Sequence, residues 1–173
     1  RPGDRIAVLE ASRVGAGPAG RNSGFMIDLP HDLDSDTYAG AADEDLNHIR
    51  LNRSGIEFAQ DAAQTYGLAG TAFQARGKHH FAATERGVEH LSAFVKHLNA
   101  LGEPYEWLDA RAMKELTGLD YYRAGLFAPG AAILQPAAYI RGLARGLESE
   151  GVELYEQSPV TRIEFGPDHV AHT

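Results

Sequence analysis

The sequence predicts an α/β chain in which a parallel-sheet lobe is interrupted by an α+β lobe. Three observations predict it. A continuous apolar run from Ile6 to Leu9 follows Pro2-Gly3-Asp4 and ends on Glu10, the form of a strand buried on both faces of a parallel sheet. The middle of the chain alternates long helical patterns with short strand patterns. The last third returns to a helix led by Pro136 and a strand pattern from Val152 to Tyr155.

The elements follow in order. Residues 12–24 form a glycine-rich loop with room for one helical turn, and residues 27–42 are acidic and turn-like, with Asp28, Pro30, Asp32, Asp34, Asp36 and Gly40. Leu46, Ile49, Ile56, Ala59, Ala63 and Tyr66 recur at helical spacing, so a helix is expected from Asp43 to Tyr66, stopped by Gly67. Gly55 lies in its middle at a cost of about 1 kcal/mol against alanine, which suggests close packing there. Residues 73–83 read as one or two strands. Thr84 caps a helix carrying Val88, Leu91, Phe94, Val95, Leu98 and Leu101, closed by Gly102. Asp109 caps a short helix through Leu116, closed by Gly118, and residues 122–128 form a strand into Pro129-Gly130. Pro136 fits the first turn of a helix bearing Ile140, Leu143, Ala144 and Leu147, which ends at Gly151. Val152–Tyr155 and Val160–Phe165 are strands split by Gln157-Ser158-Pro159, and Asp168–Thr173 begins a hairpin return.

Composition narrows the function classes. The net charge is -8 without a basic cluster, which disfavours nucleic acid and anionic membrane as partners. With no cysteine, the chain has no disulfide, thiolate nucleophile or cysteine-held metal. That fits a cytoplasmic protein. No apolar run is long enough for a membrane-spanning helix. The start at Arg1-Pro-Gly, directly before a strand, and the stop within a hairpin read as a fragment of a longer protein.

The chemistry-bearing stretch is Glu10 to Gly24. Read literally, Gly15-Ala-Gly17-Pro-Ala-Gly20 is G-x-G-x-x-G, which would make the chain a self-contained nucleotide-binding module. That fingerprint must directly follow a strand and open a helix. Here Glu10 to Val14 separate Gly15 from the strand, and Pro18 removes an N–H donor from the cradle. The alternative makes Ile6–Leu9 the second strand of a nucleotide-binding unit and Glu10 the ribose carboxylate, with the true fingerprint upstream of Arg1. A third reading keeps only the fold, as a non-catalytic α/β interaction domain.

The pattern Val-Leu-Glu10-Ala-x-Arg-Val-Gly15-x-Gly-x-x-Gly20-Arg21-Asn22-x-Gly24 resembles the FAD-dependent amine and amino-acid oxidoreductases of the D-amino-acid oxidase superfamily. Its Gly-Arg-Asn-x-Gly form is most similar to the gamma-glutamylputrescine oxidoreductase branch, although Pro18-Ala19 replaces that branch's Ala-Ser and removes a hydroxyl. A second, weaker match is Gly130-x-x-x-x-Gln135-Pro136 followed by Gly151-Val-x-Leu and Val160-Thr-x-Ile.

The resemblance implies an α/β fold comprising a partial FAD-binding Rossmann-like lobe interrupted by an α+β substrate lobe. Residues 1–69 would be the partial FAD-binding lobe with a helical segment, 70–134 part of the substrate-binding lobe, and 135–173 the return to the FAD-binding lobe. It implies oxidation of the C–N bond of an amine or amino acid, with hydride passing to the flavin. The fragment would lack the N-terminal fingerprint and the C-terminal part, and would be inactive alone. Glu10 would bind the ribose, with Ala11 beside it, and Arg13 would sit near the adenosine or phosphates. Gly20, Arg21, Asn22 and Gly24 would pass along the phosphate and ring side, Phe25 and Met26 would approach the flavin pocket, and Val160 would meet the adenine through its backbone. The FAD would be non-covalent, since Phe25 follows Gly24 and no cysteine is present; His31 reads as a loop histidine. Tyr121, Tyr122 and Phe127 are candidate lining of the substrate pocket. No metal is expected. His79 and His80 point to opposite faces of a strand, His90 and His97 read as a solvated helix face, and the acidic loop lacks the EF-hand glycine and terminal glutamate.

Overall fold

The computed structural model describes residues 3–30 and 41–173. The chain is mixed α/β and divides into two compact units: unit 1 (Arg1–Gly24, Gln60–Gln74 and Leu134–Thr173) and unit 2 (Phe25–Ala59 and Ala75–Ile133). The elements are β1 (Ala7–Leu9), β2 (Phe25–Met26), α1 (Ala42–Thr65), β3 (Phe73–Gln74), β4 (Lys78–Ala82), α2 (Glu85–Leu101), β5 (Glu106–Asp109) and α3 (Ala110–Thr117). There follow β6 (Ala124–Ala128), β7 (Ala132–Leu134), α4 (Pro136–Ser149), β8 (Glu153–Tyr155), β9 (Arg162–Glu164) and β10 (Val170–His172). Among the described residues, no helix is long and apolar enough to cross a membrane.

In unit 1, β1 pairs in parallel with β8, placing Val8 opposite Leu154. The parallel pairing agrees with the expectation for Ile6–Leu9, but the burial does not. Ile6, Val8 and Leu9 are 52%, 41% and 36% exposed, because among the described residues β8 is the only strand beside β1. The helix before β8 starts as the sequence predicts. Pro136 occupies its first turn, and the Gln135 side chain caps it by accepting the Ala138 amide at 2.6 Å. β9 and β10 form the expected antiparallel hairpin.

Unit 2 is built on an antiparallel sheet ordered β4-β6-β5, with Leu126 of the central strand fully buried. Helix α2 packs its apolar stripe on this sheet, and Phe94, Leu98 and Leu126 form a core with Leu29, Ile49 and Ala128. Both ends of α2 are specified locally. Thr84 accepts the Gly87 amide, and Gly102 enters the left-handed region at φ 71 while Glu103 donates to the Leu98 carbonyl. Among residues 25–30 and 41–59, which the sequence boundaries assigned to the first lobe, Leu29 and Ile49 belong to the core of the inserted sheet.

A buried ionic node ties this unit together. Asp28 is 1% exposed, and its Oδ2 accepts from Nε and Nη2 of Arg53 at 3.2 and 2.9 Å. The same guanidinium grips Glu103 at 3.1 and 2.5 Å, and Asn52 donates to the Asp28 carbonyl. His97 departs from the expected solvated face: its side chain is 13% exposed and bonds Asp45 at 2.7 Å, because the acidic first turn of α1 packs there.

Candidate cofactor site

Parallel strands place their carboxyl ends side by side, and ligands of open α/β sheets bind beyond those ends. Here the β1–β8 ladder continues past the strands. The Glu10 amide donates to the Tyr155 carbonyl at 2.9 Å, Gln157 donates to the Ser12 carbonyl at 2.7 Å, and Ser158 donates to the Glu10 carbonyl at 2.9 Å. Gln157 takes the left-handed region at φ 53 to make this turn, a conformation uncommon outside glycine. The Glu156 carboxylate accepts the Val14 amide at 2.7 Å. At the opposite end of the ladder, the Arg5 guanidinium bonds Glu153 at 2.6 Å and holds its carboxyl below the usual range.

Glu10 therefore stands at the end of a parallel strand, on a backbone fixed from both sides. One of its oxygens accepts the Ser12 amide at 2.7 Å. An ionised carboxylate offers about four acceptor positions, so capacity remains for ribose hydroxyls. Arg13 opens into a cleft of about 550 Å³ bordered by Arg141, Arg145, Glu148 and Glu156. Arg13, Arg21 and Arg145 have no ion-pair partner among the described residues. That leaves positive charge available to an anionic ligand. The buried loop carboxylate, Asp28, is taken by Arg53 and not by Arg21.

The loop from Arg13 to Gly24 is held largely by itself. Gly15 turns at φ 74, and a short 3-10 turn spans Pro18–Gly20. Gly15 does not open an α-helix, so the literal fingerprint lacks its geometry. Asn22 is the organiser. Its amide donates to the Pro18 and Ala19 carbonyls at 3.0 and 3.1 Å, and its oxygen accepts the Gly24 amide at 2.8 Å. A Cβ at Gly20 would overlap the Gly15 carbonyl, and one at Gly24, with φ 76, would overlap the Leu134 carbonyl. These two glycines close the loop on the protein's own backbone.

Unit 1 thus holds Glu10, Ala11, Arg13, Gly20, Arg21, Asn22, Gly24 and Val160, the last 44% exposed just after the 157–159 turn. Phe25 and Met26 belong to unit 2, where their backbones pair with Ile133 and Ala132, and Phe25 is 60% exposed. Sequence reasoning missed Glu156, Gln157 and Arg141. The available signal was the Gln157-Ser158-Pro159 turn after a strand. On unit 2, Tyr121, Tyr122 and Phe127, which the sequence offered as pocket lining, fall in one aromatic cluster with His79 and Phe81, which it did not. His79 lies 4.7 Å from Phe127, and Phe81 lies 4.9 Å from Tyr122, which meets Tyr121 edge-on. Among the described residues, no group of three or more histidines and carboxylates is placed to hold a metal.

The donor set suits FAD: a strand-end carboxylate for a ribose, arginines without carboxylate partners for phosphates, and a side-chain-free turn at Gly24. Comparison with known proteins agrees. The sequence profile of the FAD dependent oxidoreductase family (DAO) matches residues 1–173. Probable oxidoreductase OrdL of Haemophilus influenzae is 31% identical over 162 residues, covering 91% of this chain and 37% of that protein. Glycine oxidase from Geobacillus kaustophilus superposes with a TM-score of 0.73 at 20% identity, over 96% of this chain and 44% of the oxidase. L-alpha-glycerophosphate oxidase from Mycoplasma pneumoniae, solved with FAD bound, gives 0.67 at 18% identity, over 96% of this chain and 42% of that one. The chain therefore spans less than half the length of each of these relatives. From the profile match over its whole length and the relationship to OrdL, the chain belongs to the FAD-dependent oxidoreductase family.

Proposed function

We propose that this chain is the cofactor-lobe and partial substrate-lobe portion of a cytoplasmic enzyme that oxidises the C–N bond of an amine or amino acid. Unit 1 is the cofactor lobe on this reading, and unit 2 supplies a wall of the substrate pocket. When bound, FAD supplies the hydride acceptor that turns the substrate amine into an imine. The chain's own residues bind and orient. Glu10 accepts the ribose hydroxyls, while Ala11 and the Val160 backbone flank the adenosine. Arg13 and Arg21 supply charge to the phosphates and ring. Asn22, Gly20 and Gly24 keep the loop closed and thin, so that the cofactor approaches backbone rather than side chains. Phe25 and Met26 are assigned to the flavin pocket through their backbone and Tyr121, Tyr122 and Phe127 to the substrate pocket, and the cofactor is held without a covalent bond. His31 lies outside the described residues. The 173 residues alone are inactive, and activity belongs to the longer parent.

The observation that carries the proposal is Glu10 at the end of β1, fixed by the ladder to the turn after β8. Glycine oxidase and L-amino acid deaminase from Proteus myxofaciens, the latter at TM-score 0.71 and 17% identity, support an amino-acid class of substrate through their names. The test is FAD uptake by the full-length protein, followed at the flavin absorption band, with Glu10→Ala beside the wild type. Loss of one charge-assisted hydrogen bond, about 1.5–3 kcal/mol, predicts roughly 10- to 150-fold weaker FAD binding. A full-length protein that takes up no flavin, or a Glu10→Ala variant with unaltered affinity, would refute the assignment.

A further inference from the structure

Helix α1 presents two apolar faces. Asp45, Ile49, Ile56 and Ala59 are buried along one side. Leu51 and Phe58 are 61% and 77% exposed. At about 100° per residue, they project together from the side opposite Ile49 and Ile56. Ser54 and Gly55 occupy the turn between them. The sequence suggests that Gly55 marks close packing, yet a Cβ built there meets nothing within 4 Å. Its φ is not in the left-handed region either. A mid-helix glycine therefore costs about 1 kcal/mol against alanine without relieving any contact in the described residues. Flanked by an exposed leucine and phenylalanine, it leaves a gap through which another helix backbone can approach.

The charges beside this stripe indicate what approaches. Arg50 and Glu57 lie on one flank, seven residues apart, and neither has an ion-pair partner among the described residues. A twofold axis across an antiparallel helix pair brings the same flank of both copies together in reversed order. With the axis beside Ser54 and Gly55, Leu51 of one copy covers the partner's Phe58, and Arg50 comes beside the partner's Glu57. A twofold-related parallel pair would instead put this flank of the two copies on opposite sides of the seam, so Arg50 and Glu57 would find no reciprocal partner. Antiparallel helix dipoles favour the same arrangement.

We propose that the outer face of α1, centred on Leu51, Gly55 and Phe58, is the contact surface for a second copy of the protein, joined as an antiparallel helix pair and flanked by reciprocal Arg50–Glu57 ion pairs. This is independent of the cofactor assignment. One helix pair buries less than the roughly 1,200 Å² of a standard stable interface, which puts the dimer in the micromolar range.

The test is sedimentation velocity of the full-length protein from about 1 to 200 µM. The wild type is expected to shift from monomer to dimer across this range. Leu51→Glu and Phe58→Glu stay monomeric at every concentration with unchanged unfolding midpoints. Arg50→Glu and Glu57→Arg each weaken the dimer about fivefold or more, since each disrupts two symmetry-related pairs, and the double exchange restores it to within about twofold. A wild type that is monomeric at the highest concentration, or a dimer indifferent to Leu51→Glu and Phe58→Glu, overturns the surface. A double exchange that fails to restore the dimer overturns the antiparallel register.

Discussion

Replacing Arg53 by methionine tests the ionic node of unit 2. The guanidinium makes four contacts of 2.5–3.2 Å to two carboxylates, whose side chains are only 2% and 9% exposed. Hydrogen bonding to Glu103 first, and then to Asp28, raises the Arg53 pKa above an already high value, so the residue is charged at any pH at which the fold is studied. Methionine preserves most of the stem volume but leaves Asp28 and Glu103 without the cation that they share. Removing one member of a buried pair costs about 3–5 kcal/mol. The Arg53 side chain is 37% exposed, and solvent screening lowers the expectation to about 2–3 kcal/mol. Asp28→Asn retains a hydrogen-bond acceptor and relieves the carboxylate repulsion, so its cost should be nearer 1 kcal/mol. Trp107, the single tryptophan, lies in β5 of unit 2 and reports on this unit directly. With an m-value of about 1–3 kcal/mol per molar urea, Arg53→Met should lower the midpoint of its fluorescence transition by roughly 1 M or more. The reasoning is refuted if Arg53→Met costs less than Asp28→Asn, because removal of the cation would then leave no stranded charge.

Three other outcomes are expected. Phe94→Ala removes a side chain that is 1% exposed at the centre of the unit 2 core and should cost about 3–5 kcal/mol in the same urea titration. Gly24→Ala introduces a Cβ at φ 76 against the Leu134 carbonyl and should destabilise by at least 1–2 kcal/mol, with accelerated amide exchange at Leu134, which donates to the Gly24 carbonyl. Burial pushes the Lys78 ammonium down from its ordinary 10.5, against a smaller upward pull from Asp28. Between the folded pKa and 10.5 the unfolded chain holds the extra proton, so this group raises stability with pH across that window and penalises the fold below it. Lys78→Met should therefore gain up to about 1 kcal/mol at neutral pH, a gain that shrinks as urea midpoints are taken through the window toward pH 10.5.

Long periodic elements were legible in the sequence; among the short ones, β1 and β8 were read from apolar runs beside turn residues, and others were not. α2 carried its cap, its stripe and its terminal glycine in local residues, and each acts as read. β2, β5 and β7 escaped, being two to four residues long and fixed by pairing with distant strands. Among the candidate site residues, Glu10 could be read because a strand end before a glycine loop is a local pattern. Glu156 and Gln157 could not, because their relation to Ser12 and Val14 spans about 140 residues and arises only when β1 and β8 align. Asp28 looked like one carboxylate of an acidic loop; its burial is set by Arg53 and Glu103, which no short-range pattern links to it. His97 was misread for the same reason, since Asp45 lies on another helix.

The β1–β8 ladder also governs when the molecule can mature. Its two strands are separated by about 146 positions, so closing it carries a large loop entropy and must await the synthesis of β8. The unit 2 residues of this chain end at Ile133, whereas the turn that fixes Glu10 is not synthesised until Ser158. During translation the inserted lobe can fold while β1 still waits for its partner, with Ile6, Val8 and Leu9 uncovered. The Glu10 anchor thus forms only after the residues of unit 2 have been made, and a ribosome stalled before residue 153 would release a chain whose first strand lacks β8 and is open to wrong partners.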